Sequence, residues 1–312
     1  MATQIYKYSR VYDWGRYYFD LCARTQFSKV TIRGRENIPT DGEIIYAPNH
    51  VAAMMDPMVT LLVNGHSPVG FGARSDIFAN PIAAWALHFV RVLPLARERN
   101  GLKEVAKNYE TFDDIIDCLR HGMPFCMFAE GTHRAERGLL PLKKGVFRIA
   151  KMASEELGKH VYVVPISSDY EYFFRPMGRI CVTVGEAIDV GEYFRTHSEE
   201  PEANIYKDLL NMLSTRIKAN LDVLPPRPCL DGSNAMGNKA LRKIAAVLSI
   251  PVFIVCAILC APIWLIAEHF IYRLEDKAFS HTVYFAVRLL FPVLWPFHSV
   301  MAYLWNRYRE LF

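Results

Sequence analysis

The chain has little of what metal or redox chemistry would need. Its seven cysteines (Cys22, Cys118, Cys126, Cys181, Cys229, Cys256 and Cys260) are odd in number, scattered and mostly set in apolar runs. No pair has a metal-ligand spacing backed by histidines, and no other His/Asp/Glu cluster has one. Neither a bound metal nor a disulfide framework is therefore expected, and the thiols read as reduced core residues of a cytosolic setting. Cys256 and Cys260, four apart in a hydrophobic stretch, read as packing. Net charge is also small: 36 Lys+Arg against 32 Asp+Glu give +4. That excludes an electrostatic case for nucleic acid and leaves a membrane surface or an anionic substrate. There is no internal repeat and no low-complexity tract. No apolar core follows Lys7 and Arg10, so a signal peptide is not expected.

Apolar residues are plentiful. They make up 52% of the 312 residues, and the mean hydropathy of +0.08 is high for a soluble enzyme. The length suggests one sizeable α/β domain with an appendage. Residues 1–28 read as an interfacial helix, because Tyr12, Trp14, Tyr17, Tyr18 and Phe19 alternate with Arg10, Arg16 and Arg24. Packing of that helix on the domain is the other reading, and the two are compatible. From 29 to 224, β-branched runs alternate with helical stretches. Strands are expected at Lys29–Arg33, Glu43–Ala47, Val69–Ala73, Arg91–Leu95, Phe125–Phe128, His160–Ile166 and Arg179–Val184. Helices are expected at Asp76–Phe89, Leu102–His121, Lys144–Glu156 and Glu202–Leu221. The alternation predicts an α/β fold, a mostly parallel sheet flanked by helices.

Residues 225–239, rich in proline and glycine, read as a linker, and 240–312 as a membrane hairpin. Ile244–Ala267 carries no charge and is long enough to cross a hydrocarbon core of about 30 Å. Ala278–Trp305 is a second run, interrupted by Arg288, Pro292, Pro296 and His298. Lys239, Arg242 and Lys243 before the pair and Arg307 and Arg309 after it are expected to hold both ends and the enzyme domain on the cytoplasmic face of a multi-pass protein. Arg288 must snorkel, face protein or meet phosphate, so the second segment is alternatively tilted or re-entrant.

Chemistry concentrates at strand ends. Asn49-His50 follows the strand Glu43–Ala47, and Asp56-Pro57 reads as an N-cap and first residue of the next helix. A carboxylate accepting one imidazole N–H leaves the other ring nitrogen free as a base. The pair has no nucleophile of its own, so a substrate hydroxyl would serve. Plain capping by Asp56 and a loop-filling His50 is the alternative. Glu130-Gly131-Thr132-His133-Arg134 follows another strand, Arg97 a third and Val164-Pro165-Ile166 ends a fourth. Lys143, Lys144 and Arg148 lie near the same edge, where open α/β sheets bind ligands.

Asn49-His50…Asp56, Val92–Arg97, Phe128-Ala129-Glu130-Gly131-Thr132 and Val164-Pro165-Ile166, in that order, resemble the four blocks of the glycerolipid acyltransferases. These enzymes acylate glycerol-3-phosphate or 1-acylglycerol-3-phosphate. The resemblance spans roughly residues 30–190. It implies acyl transfer from a thioester, carried by coenzyme A or acyl carrier protein, to a phosphate-bearing glycerol acceptor at the lipid bilayer, with no bound cofactor and no metal. His50 would be the base and Asp56 its orienting partner. Arg97 and Arg134, with Lys143 or Lys144, would hold phosphate. Asn49, Glu130, Gly131 and Thr132 would shape the acceptor site, and Pro165 would line the acyl pocket. Three features depart from the family. Five residues (Val51–Met55) separate His50 from Asp56 instead of the usual four. Ala129 replaces a proline, and His133-Arg134 stands where Arg-Ser is common. Alternatives are an acyltransferase or transacylase for another lysolipid or an amino-acid lipid, and a non-catalytic lipid-binding membrane protein.

Overall fold

The structure, a computed structural model, describes residues 4–96, 108–134, 136, 138–221 and 239–311. Arg97, Cys229, the linker residues 225–238 and the start of the Leu102–His121 helix lie outside the described residues.

Strand β2 (Glu43–Pro48) is the middle of the sheet and is buried along its whole length. Its run of Ile44, Ile45, Tyr46 and Ala47 has no polar side to show water, as a parallel strand covered on both faces requires. Around it the described strands are β1 (Lys29–Arg33), β3 (Gly70–Arg74), β4 (Val92–Leu95), β5 (Phe125–Cys126), β6 (Val161–Tyr170), β7 (Arg179–Val184) and β8 (Ile188–Asp189). Their order is β1-β7-β6-β2-β5-β3-β4, with β8 against β6. All pairings are parallel except those of β6 with β7 and with β8.

Successive β2 side chains serve opposite faces. Ile45 and Ala47 join a core built with α4 (Asn108–Arg120), α5 (Gly145–Leu157) and α7 (Glu202–Lys218). Ile44 and Tyr46 join a second core with α1 (Arg10–Thr25) and α2 (Met55–Val63). The fold is therefore helices on both faces of a mostly parallel sheet. Helix α6 (Val190–Thr196) and β8 were not expected from the sequence; each is too short to show a period.

Three expected boundaries move. The Asp76–Phe89 helix is a 3-10 turn, Ser75–Phe78, followed by α3 (Pro81–Phe89). Asn80 caps α3 by accepting from the amides of Ile82 (2.8 Å) and Ala83 (3.2 Å). Strand β6 does not end at Ile166 but continues to Tyr170, changing partner from β2 to β7 on the way. Pro165 sits inside it, opposite Ala47. Asp56 is not the cap of α2, which begins at Met55.

Residues 240–312 form bent helix pairs in place of two straight helices. Among the described residues no single helix is long and apolar enough to cross a membrane. The first run is broken into α8 (Lys239–Leu248), α9 (Ile250–Leu259) and α10 (Ala261–Arg273), and the second into α11 (Ser280–Leu290) and α12 (Trp295–Leu311). Helices α9 and α10 meet at 73°, and the second pair bends by 111°. Pro251, Pro262 and Pro292 stand at the first positions of segments after each break, where a missing amide hydrogen costs nothing but a continuous helix could not pass.

The turn between the runs, expected across the bilayer from the enzyme domain, is docked on that domain. Asp276 bonds to His133 at 2.8 Å, and Phe279 packs edge-on to the His133 ring. The second run is itself part of the domain face. Phe285 and Trp295 belong to the core beside β2. Arg288, fully buried, faces protein and donates to Thr25 Oγ1 (2.9 Å) and Ser299 Oγ (3.3 Å). The first run keeps Val247, Leu248, Val252, Val255 and Ile258 exposed. Helix α1 packs on the domain and leaves an apolar face exposed. Arg16 is buried against Asp20 and the Gly65 carbonyl, while Val11, Trp14, Tyr17 and Leu21 face outward.

The turn after β1 depends on Gly34. Its φ is +72°, and a Cβ there would run into the Val184 carbonyl oxygen at the end of β7. Gly34→Ala should therefore lower stability by about 2–4 kcal/mol, combining left-handed strain with overpacking against backbone. The thermal unfolding midpoint in detergent should fall by several degrees; an unchanged midpoint would contradict this packing.

Candidate functional site

The site begins where β2 stops. After Pro48 the chain turns through residues 49–54 into α2, and the Asp56 side chain reaches back under that loop. Its carboxylate has no exposed surface. Oδ2 accepts from His50 Nδ1 (2.8 Å) and from the amides of Val51 (2.9 Å) and Ala52 (2.8 Å), and Oδ1 accepts from the Tyr170 hydroxyl (2.7 Å). The extra residue between His50 and Asp56 is taken up at Ala53, whose φ is +47°. One left-handed residue shortens the path enough for the histidine and aspartate to meet. An ionised carboxylate can only accept, so the ring proton belongs on Nδ1 and Nε2 carries the lone pair. The His50 side chain is 17% exposed. Its ring stacks on Phe128 at 4.2 Å, so it is held on one face and open at the edge.

Glu130 joins this loop to its neighbour. Oε1 accepts from the His50 amide (2.6 Å) and Oε2 from the Leu140 amide (2.8 Å). Burial raises the Glu130 pKa, while those two amides and the nearby His50 ring act in the opposite direction. The Arg134 amide donates to the His50 carbonyl at 3.2 Å. Gly131 has φ +67°, which lets the loop after β5 fold against the loop after β2. The two strands are neighbours in the sheet, so both loops leave the same edge.

The expected site residues divide into two groups. His50, Asp56, Glu130, Gly131, Thr132 and Arg134 fall in these two joined loops. Thr132 is exposed, as is Arg134, whose Nε pairs with Glu136 at 3.2 Å. Lys143 lies close to Gly131, and its amide donates to the Ala129 carbonyl at 2.7 Å. Lys144 is directed over the Tyr206 ring at 5.8 Å, a contact with α7 and not with the loops. Asn49 also differs from its expected role at the substrate. It is buried, and its amide exchanges two hydrogen bonds with the Ser168 backbone, 3.1 Å and 2.7 Å. It braces β2 against β6. Pro165 is buried in β6. Among the described residues no group of His, Cys, Asp or Glu could hold a metal ion.

Two participants escaped sequence reasoning. Tyr170 lies 114 positions from Asp56, at the end of the strand that was expected to stop at Ile166; reading Ser167–Tyr170 as further strand would have brought it nearby. Asp276 reaches the site only because the C-terminal turn docks on His133, whose ring stands 5.2 Å from that of His50.

Residues 29–169 match the protein-family model described as Acyltransferase. A chloroplastic 1-acyl-sn-glycerol-3-phosphate acyltransferase of Brassica napus is 31% identical over 142 residues, 45% of this chain and 37% of that protein. One from Chlamydomonas reinhardtii is 31% identical over 180 residues, 54% of this chain and 49% of its own. The chain thus spans less than half the length of these curated relatives. Among solved structures, the 1-acyl-sn-glycerophosphate acyltransferase PlsC of Thermotoga maritima aligns with a TM-score of 0.48 at 20% identity, covering 67% of this chain and 81% of that one.

Replacing Asp56 by Asn would put an NH2 group where donors now converge or leave only one acceptor oxygen for four donors. Asp56→Asn should destabilise the fold by about 2–5 kcal/mol, read as a lowered unfolding midpoint. A variant as stable as the parent would mean that this hydrogen-bond set does not hold the loop.

Proposed function

We propose that the protein, whose residues 29–169 match the Acyltransferase family model, is a glycerolipid acyltransferase that transfers a fatty acyl group from an acyl thioester to the free hydroxyl of 1-acylglycerol-3-phosphate. The observation that carries this reading is the 2.8 Å contact between His50 Nδ1 and Asp56, which leaves Nε2 as a base at the open edge of the sheet with no protein nucleophile in the pair. Nε2 takes the proton of the acceptor hydroxyl as its oxygen attacks the thioester carbonyl. The tetrahedral intermediate collapses with loss of the thiolate, and the imidazolium returns the proton to the departing sulfur. Asp56 orients the ring and stabilises its charged form. No acyl-enzyme and no bound cofactor is required.

Arg134 and Lys143 are the described cations beside the loops suited to the acceptor phosphate, a guanidinium being able to bind it in a fork. Arg97 has the same role in this reading. The donor is the thioester of coenzyme A or of acyl carrier protein. The exposed apolar residues of α1 and of α8–α10 support attachment to a bilayer, from which a single-chain acceptor would be drawn. With the Asp276 turn on the enzyme domain, the two bent runs enter the membrane face and return instead of crossing it.

His50→Ala should reduce acyl transfer to lysophosphatidate by about 10²–10⁴-fold while still folding, with the unfolding midpoint lowered because the buried Asp56 carboxylate gives up one of its four donors. Product identification by mass spectrometry from defined acyl-thioester donors checks it, and equal activity of the two proteins would reject the mechanism. Arg134→Ala should raise KM for the phosphorylated acceptor more than it lowers kcat. An unchanged KM would remove Arg134 from phosphate binding.

A further inference from the structure

A second cavity lies away from the His50 loops, where the C-terminal helices meet the segment after β6. It has a volume of about 360 Å³ and is bounded by α10, α11, α12 and residues 174–176. That size is at the lower end for small-molecule sites, roughly 300–1,000 Å³. Its walls are mostly apolar, with Tyr284, Met301 and Trp305 among them, whereas its charged lining is Arg175, Lys277 and Arg309 against the single carboxylate of Glu268. Glu268 is already engaged as the acceptor of the Tyr284 hydroxyl. An apolar chamber with a surplus of cations suits an amphiphile whose polar end is anionic.

His298 gives independent support. It lines the cavity and is fully buried. Arg288 Nη1 lies 3.4 Å from His298 Nδ1. A guanidinium can only donate, so Nδ1 must be the acceptor and the ring proton must sit on Nε2. That Nε2 has no hydrogen-bond partner. It lies behind the cavity surface as a buried, unpaired donor. Behind it, Arg288 donates to hydroxyls and has no carboxylate within ion-pair distance among the described residues, so the donor also carries positive potential.

We propose that this cavity is a binding site for a single-chain anionic lipid taken from the bilayer, with its headgroup on Arg175, Lys277 and Arg309. The acyl chain runs along the apolar wall between α10 and α12. The site is separate from the His50 loops yet joined to them: Lys277 is adjacent to Asp276, which bonds to His133. A lipid seated there would sit beside the turn that touches the catalytic loop. The inference rests on the cavity's own groups and does not require the proposed transfer reaction.

The test uses the full-length protein in phosphatidylcholine nanodiscs with a photoactivatable lysophosphatidate, its diazirine on the acyl chain, and maps the cross-links by mass spectrometry. Labels are expected on residues 298–306, and a matched monoacylglycerol probe should label there about tenfold less. The exposed-rim variant Arg309→Glu combined with Arg175→Glu should cut labelling by roughly tenfold. His50→Ala should label like the parent, which separates the two readings: transfer without labelling here would reject the cavity site alone, and labelling without transfer would reject the reaction alone. Equal labelling by the neutral probe, or by the charge-reversed variant, would overturn recognition of an anionic headgroup.

Discussion

Burying an ionised carboxylate costs several kcal/mol unless donors replace its water, and at Asp56 four groups do so. Two are backbone amides of the loop being organised, one is the His50 imidazole and one is a hydroxyl from the far end of β6. Hydrogen bonds to a charged acceptor are the strong kind, about 1.5–3 kcal/mol each. Together they are enough to hold Ala53 at positive φ, a strain of about 1–2 kcal/mol. The histidine is therefore not placed by its own contacts alone. It is placed by a loop wound around one carboxylate, and the same bond that aims the ring assigns its tautomer.

That arrangement makes the site a property of three strands. Strand β2 supplies His50, β5 leads to Glu130 on the His50 amide, and β6 brings Tyr170 beneath Asp56. Because β5, β2 and β6 are adjacent in the sheet, their ends converge without any long excursion of the chain. Glu130 is informative here. Both of its oxygens are taken by amides from different segments, so its part is to latch the loops, and the shape of the acceptor site follows from the latch. Among the described residues, the groups of these loops not used to hold them together are Nε2 of His50 and the exposed side chains of Thr132 and Arg134, the latter paired with Glu136.

Much of this was legible in the sequence because strand and motif signals are local. The buried run Glu43–Ala47, the histidine at its end and the order of the four blocks need no knowledge of distant residues. Asp56 was misread as a cap because Asp-Pro is an equally good signal for a helix start, and only three-dimensional placement tells which donors a carboxylate prefers. Strand β6 was cut short at Ile166 because Ser167, Ser168 and Asp169 look like a turn, yet their backbone pairs with β7 and they are buried. The bends of the C-terminal runs were not legible for a related reason. Hydrophobic length is consistent with spanning, but His281 and Arg288 within the second run, and Asn306 just after it, spend their polarity on Tyr172, Thr25 and Pro176.

Those contacts decide what the appendage does to the enzyme. A hairpin crossing the bilayer would have carried its turn away from the sheet, leaving the domain tethered at one end only. With Asp276 on His133 and Phe279 on the same ring, the turn instead borders the catalytic loop. The exposed apolar side chains of α8–α10 lie on the same appendage. The appendage and the His50 ring are then linked through one short path: α9 and α10, the 273–279 turn, His133, and from there the His50 ring 5.2 Å away.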